Sequence, residues 1–193
     1  MTMKKRFRKI SLLLVFTLWV TCLPTATMDV EAAQTITVNE DQTIENQTIT
    51  GDEGSAAVIV KSGKTLTLKN VTINAAQGQS AIYIEGSGTL VIEGIVNVNG
   101  GDGYVSFSSN VYTSYSGGAG IEVPSGSAVT IKGSGTLNVT GGNASDGTPG
   151  TMPSEPGSKD YGSIGKGGGG AGAGIGSRGA STSGSAGRYD HDQ

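Results

Sequence analysis

The amino-acid sequence predicts an all-β protein, a right-handed parallel β-helix of three-strand coils with about 24 residues per coil. Three observations predict it. Short apolar triplets recur at a constant offset, apolar and polar residues alternate inside each triplet, and the 193 residues include 33 glycines but only 5% aromatic and 15% charged side chains. That composition argues against a helical bundle built on Leu, Glu and Lys and suits short strands joined by tight turns.

Each repeat holds three strands. Ile36 maps onto Val60 and Ile84, Ile44 onto Leu68 and Ile92, and Ile49 onto Ile73, with Val98 one residue late. After an insertion the three strands return as Ile121-Glu122-Val123, Val129-Thr130-Ile131 and Leu137-Asn138-Val139. Alternation in Leu66-Thr67-Leu68 and Val71-Thr72-Ile73 gives each strand one buried and one wet face, which no helical period reproduces. Ser62-Gly63-Lys64 and Gly86-Ser87-Gly88 supply the turns between strands. Successive coils then stack with parallel strands about 4.8 Å apart, and their aliphatic residues converge on one continuous core. Glu45, Lys69, Glu93 and Lys132 are assigned to equivalent outward sites, where neighbours of opposite sign contribute about 0.2–1 kcal/mol each. Handedness follows the usual chirality of parallel crossovers.

The ends differ from the middle. Residues 1–33 read as a secretory signal, with Lys4, Lys5, Arg6, Arg8 and Lys9 ahead of an apolar run from Ile10 to Cys22 and a cleavage site at Val30-Glu31-Ala32. The run is shorter than the ~20 residues a spanning helix needs, so no membrane span is expected in the mature chain. Removing residues 1–33 takes five of 13 basic and two of 16 acidic side chains, which leaves a formal net charge of −6 and makes nucleic acid an unfavourable partner. Cys22 is the only cysteine and leaves with the signal, so neither a disulfide nor thiol chemistry is expected. Residues 34–142 are assigned to the stacked coils. Residues 143–193 are assigned to a Gly/Ser/Pro-rich loop, the start of an incomplete coil where Ala171-Gly172-Ala173-Gly174-Ile175-Gly176 echoes Gly118-Ala119-Gly120-Ile121, and a flexible tail. A coil that stops midway leaves an open edge, so the expectation is a truncated chain whose partner is further coils of a longer polypeptide.

Ser80-Ala81-Ile82-Tyr83-Ile84, the stretch Gly133-Ser134-Gly135-Thr136-Leu137-Asn138-Val139-Thr140-Gly141-Gly142 and Ala173-Gly174-Ile175-Gly176 resemble the repeats of large Gram-positive surface proteins. Those proteins are similar to pectate-lyase-like β-helices, and some are described as carbohydrate-binding domain proteins. The resemblance covers residues 35–180 and implies a secreted or cell-surface location in a Gram-positive-type bacterium. The chain departs from the pattern at its end, where the glycine-rich segment runs into Arg188-Tyr189-Asp190-His191 instead of another strand.

The insertion at residues 102–116 is the best binding candidate, because Tyr104, Phe107, Tyr112 and Tyr115 make up four of the seven aromatics of the mature chain. Tyr83, outward on a neighbouring strand, joins them as a candidate. Aromatic faces beside Ser and Asn suit sugar rings, while the competing account is a satellite cluster that covers the core under a long loop. A second candidate is the outward column of Thr48 and Thr50, Thr72 and Asn74, Asn97 and Asn99, and Asn138 and Thr140. Its competing account is a side-chain ladder that ties coils together. Asp52 and Glu53 follow the first coil and Asp102 follows the second, so calcium is the one cofactor for which carboxylates are at hand. Calcium takes six to eight oxygens, and solvated turn acids explain the same residues.

No catalytic site is expected. Lyases of the resembling fold use calcium with a basic Lys or Arg, and related hydrolases use clustered Asp residues. The coil acids here are scattered, Lys61, Lys69 and Lys132 fall in turns or charge columns, and His191 lies in the tail. Gly167 to Gly170 lack the Lys-Ser/Thr ending of a phosphate loop. The expected function is a module that binds polysaccharide or a cell-surface glycan, or mediates adhesion, without catalysis. The alternatives are a structural stalk and a fragment of a carbohydrate-active enzyme of the polysaccharide-lyase type.

Overall fold

The computed structural model describes residues 33–108, 111–147 and 168–185. Among these the protein is all-β with no helix, and hence no helix long and apolar enough to cross a membrane. The expected signal segment up to residue 32, the stretch 148–167 and His191 lie outside the described residues.

The strands in chain order are β1 (Ile36–Val38), β2 (Gln42–Glu45), β3 (Thr48–Thr50), β4 (Val58–Val60), β5 (Lys64–Lys69), β6 (Thr72–Asn74), β7 (Ile82–Ile84), β8 (Ser87–Glu93), β9 (Ile95–Asn99), β10 (Val105–Ser108), β11 (Val111–Ser114), β12 (Ile121–Glu122), β13 (Ala128–Gly133), β14 (Thr136–Thr140), β15 (Ile175–Gly176) and β16 (Thr182–Ser185). The chain visits three parallel sheets in rotation: β1-β4-β7-β12-β15 in the first, β2-β5-β8-β13 in the second and β3-β6-β9-β14 in the third. A fourth sheet, β10-β11-β16, is antiparallel.

The corner between the second and third sheets shows how side chains set the turns. Asn46 and Asn70 adopt left-handed backbone conformations (φ 54° and 52°), which Asn tolerates better than other residues with a side chain. Their amides are laddered, Asn70 Nδ2 donating to Asn46 Oδ1 at 3.2 Å and the Ile95 N–H donating to Asn70 Oδ1 at 3.2 Å. Gly94 takes the next position with φ 64°, and a Cβ there would stand 2.0 Å from Asn70 Oδ1. Glycine at Gly94 takes this conformation without strain and leaves room for the Asn70 amide, which a side chain there would displace.

Alternation places the aliphatic residues inside. Val38, Ile49, Val60, Leu66, Leu68, Ile73, Ile82, Ile84, Leu90, Val98 and Ile121 are wholly buried in one cluster to which all three parallel sheets contribute. Ile44 is opposite Leu68 and Leu68 opposite Ile92, Ile49 opposite Ile73 and Ile73 opposite Val98, as the repeat requires. Burying each such side chain is worth about 1.5–3 kcal/mol. In the last layer the cover thins. Val129, Leu137 and Val139 are partly buried against the cluster, and Ile131 and Ile175 are 38% and 48% exposed.

Two expected alignments are corrected. Ile36 is opposite Val58, and it is Val38 that is opposite Val60, so the first sheet needs two residues fewer between its first two strands than the second sheet does. Val38 thereby takes the fully buried inward position and Ile36 a half-buried one at the edge. Lys132 is opposite Val91, not Glu93. The Ala128 N–H bonds to the Gly86 carbonyl at 2.8 Å and pairs β13 with the start of β8, which brings Gly133 rather than Ile131 opposite Ile92. The charge column therefore comprises Glu45, Lys69 and Glu93, with a Lys69–Glu45 ion pair at 3.4 Å. A second exposed pair, Lys61–Glu85, was not anticipated from the sequence. The echo at Ala173-Gly174-Ile175 does form a further strand, with Ile121 opposite Ile175.

Truncating Leu68 to Ala, in the middle of the stack, is expected to lower unfolding free energy by about 2–5 kcal/mol. The same change at Ile131, 38% exposed in the last layer, is expected to cost about 1 kcal/mol or less. Urea denaturation of the two variants measures the difference; equal losses would contradict a core that thins toward β13.

Candidate functional site

The region carrying the aromatic residues begins at a glycine corner. Where the third sheet leads back to the first, backbones of adjacent layers touch with no side chain between them. Gly101 N–H donates to the Gln79 carbonyl (2.9 Å), Gly118 N–H to Gly101 (2.8 Å), Gly142 N–H to Gly118 (2.8 Å) and Gly172 N–H to Gly142 (2.9 Å). A Cβ on Gly101 would stand 1.7 Å from the Ala76 carbonyl oxygen, and one on Gly118 1.8 Å from that of Gln79. The chain leaves the stack after Gly101 and rejoins it at Gly118, which donates to the same Gly101, so the excursion between them costs the stack no rung.

That excursion is a β-hairpin rather than an irregular loop. β10 and β11 pair antiparallel, with Val105 opposite Ser114 and Phe107 opposite Tyr112, and the Tyr115 N–H closes the base on the Tyr104 carbonyl at 2.7 Å. β16 adds a third strand along β11, with Thr113 opposite Ser183. No strand was foreseen in residues 177–193. Tyr104 and Tyr115 stack with ring centroids 4.5 Å apart and planes 11° from parallel. Tyr104 also lies over Gly78, where a Cβ would be 3.3 Å from its Cε1. Phe107 is 56% exposed and Tyr115 37%, while the side chain of Tyr112 lies outside the described residues. Tyr83 is half-buried on the outer face of the first sheet, between Ile59 and Glu122.

The outward polar column has the register expected of it. Thr48, Thr72, Asn97 and Asn138 form one file and Thr50, Asn74, Asn99 and Thr140 the other. Hydrogen bonds run along the files: Asn99 Nδ2 to Asn74 Oδ1 at 2.9 Å, Asn138 Nδ2 to Asn97 Oδ1 at 2.9 Å, and a longer bond from Asn97 Nδ2 to Thr72 Oγ1 at 3.5 Å. The laddering account thus describes part of what these side chains do.

Asp102 caps the following layer, its Oδ1 accepting the Asn143 backbone N–H at 2.8 Å and Nδ2 at 3.0 Å. Asp52 is half-buried and Glu53 exposed in the turn after the first layer. Among the described residues no three His, Cys, Asp or Glu side chains converge as a metal site would need, so Asp52, Glu53 and Asp102 are not brought together as a calcium cage.

One polar cluster escaped sequence reasoning. Ser80 Oγ donates to Glu122 Oε2 at 2.6 Å, and Arg178 donates to the same oxygen through Nε at 3.3 Å and a terminal nitrogen at 3.0 Å. Ser80 Oγ in turn accepts the Ala119 N–H at 3.1 Å, and the Glu122 side chain is only 13% exposed. These residues have no counterparts in the repeat, since Tyr83 and Gly176 are the neighbours of Glu122 in register. Periodicity carried no signal for them.

Asn97→Ala removes an acceptor and a donor from the middle of a file and is expected to cost about 0.5–1.5 kcal/mol, read as a shift of the urea midpoint. No shift would mean that the laddered amides add nothing over their bonds to water.

Compared with protein-family models, with curated proteins and with solved structures, the chain finds no match in any of the three.

Proposed function

We propose that the protein is a secreted or cell-surface module, a right-handed parallel β-helix that binds polysaccharide or mediates adhesion without catalysis. The observation carrying this reading is the hairpin. It is antiparallel where the stack is parallel, and it holds the exposed aromatic side chains Phe107 and Tyr115 outside the buried aliphatic core. Phe107 and Tyr115 are exposed aromatic side chains of the kind that pack on the C–H side of a sugar, and the polar file Thr50, Asn74, Asn99, Thr140 runs toward the hairpin base, where Asp102 and Asn143 lie just beyond Asn99 and Thr140 in the chain. The rotation of the chain through three sheets, with one shared core, supports the coil, and the usual crossover chirality supports its hand. The apolar run at Ile10–Cys22 and the resemblance to surface-protein repeats support an extracellular location.

A stalk is the second reading, favoured by two observations. Tyr104 and Tyr115 occupy one another's faces, and the Asn files spend part of their hydrogen-bonding capacity on each other. Both are what a spacer needs for its own rigidity.

A glycan array probed with the purified protein separates the two, and the binding reading expects retention of at least one glycan class. Phe107→Ala and Tyr115→Ala are then expected to weaken it about tenfold or more, ~1.4 kcal/mol, by isothermal titration. Absence of binding to every glycan, with and without calcium, leaves the stalk as the function.

A further inference from the structure

The hairpin cannot hold its own shape. Two antiparallel strands of four residues each are marginal in water without a third strand or a packed face. The third strand comes from a distant part of the chain. β16 runs along β11 from Ser185 opposite Val111 to Thr182 opposite Ser114. The segment that carries it is bonded both to the stack and to the hairpin base. On the stack, Gly172 N–H donates to the Gly142 carbonyl (2.9 Å), Gly120 N–H to the Ala173 carbonyl (3.0 Å) and Ile121 N–H to the Gly174 carbonyl (2.8 Å). At the hairpin base, Gly117 N–H donates to the Gly170 carbonyl (2.9 Å) and Ser116 N–H to Ser181 Oγ (3.1 Å), while Gly170 N–H closes on the Ala180 carbonyl (2.9 Å) within the segment itself. Between these attachments Ile175 joins the first sheet beside Ile121, and Arg178 bonds to the largely buried Glu122, whose other partner is Ser80.

We infer that residues 168–185 are a strap that holds the aromatic hairpin in place, with the Glu122–Arg178 pair as its clasp. β15 anchors the strap on the parallel stack and β16 anchors it on the hairpin, so it alone among the described elements pairs with both. The clasp lies between the two anchors and carries the strap across the change from parallel to antiparallel pairing. Ser80 fixes the carboxylate from the layer below, so Arg178 meets an acceptor already oriented. Arg178, Ser181 and the β16 backbone are positioning residues: they set where Tyr104, Phe107 and Tyr115 stand. This holds whether the hairpin binds glycan or stiffens a stalk.

Hydrogen exchange on the full chain tests it. Two variants loosen the strap differently. Arg178→Ala with Ser181→Ala removes the side-chain attachments. Ser183→Pro with Gly184→Pro removes two successive donors, one of which must face β11. Both are expected to lower protection of amides in residues 105–108 and 111–114 on the order of tenfold or more, while amides of β4, β5 and β7 keep theirs. Arg178→Lys with Ser181 intact is expected to retain most of the hairpin's protection. Near-UV circular dichroism of the Tyr104–Tyr115 stack should fall with hairpin protection. Unchanged protection in 105–114 after the double proline substitution overturns the inference. So does a loss spread equally over β4, β5 and β7, which would mean that the segment stabilises the whole molecule rather than the hairpin. Glycan retention plays no part in either outcome, so the strap and the binding module stand or fall separately.

Discussion

Every feature of this protein depends on aliphatic side chains of successive layers lying directly over one another. The strands are short, so none is stable alone, and each is held by its neighbours in the layers above or below. Side chains alternate with period two, so a slip of one residue anywhere would turn Leu66 and Leu68 outward and Thr67 inward. Vertical alignment is thus enforced by burial and merely read out by hydrogen bonds. The corners adapt to it: Asn46, Asn70 and Gly94 take left-handed conformations so that the next strand starts in register.

Because inward positions are committed to packing, whatever individuality the molecule has lies on its outside or in its interruptions. The outside is largely self-satisfied, with amides laddered along the third sheet and charges paired on the second. The interruption after Gly101 is another matter. A segment that does not join the parallel sheets projects aromatic groups at a place where the layers meet through backbone alone. Insertion there disturbs no core side chain, which is the physical reason why a repeat structure accepts its variable element at this corner.

Legibility in the sequence follows the same division. The third sheet and the first three strands of the second were readable residue by residue, since Ile44, Leu68 and Ile92, and Ile49, Ile73 and Val98, keep a nearly constant offset and a strict alternation. The first sheet was misaligned by two at Ile36 because an apolar residue stands at both Ile36 and Val38, and periodicity cannot choose between them. Lys132 was misplaced because β13 and β8 begin pairing earlier than their apolar triplets do. The polar files at Asn97 and Asn99 were legible in position, and so was the aromatic content of the insertion. Its hairpin form was not, because Val105 to Ser114 shows no hairpin turn signature flanked by clean alternation. The strap was invisible. Arg178 meets Glu122 across 56 residues, and a partner at that separation leaves no trace in local pattern.

The glycine column has a mechanical consequence. Its rungs join Gln79, Gly101, Gly118, Gly142 and Gly172 in series, and each interval is set by an amide hydrogen bond with no side chain to cushion it. Such a column behaves as a ruler. A methyl group at Gly101, Gly118, Gly142 or Gly172 would stand 1.7–2.0 Å from a backbone carbonyl oxygen of the neighbouring layer and would wedge the two layers apart at this corner. The parallel sheets, whose side chains can repack by fractions of an ångström, are the compliant walls; the corner of bare backbone is what holds neighbouring layers at a fixed separation.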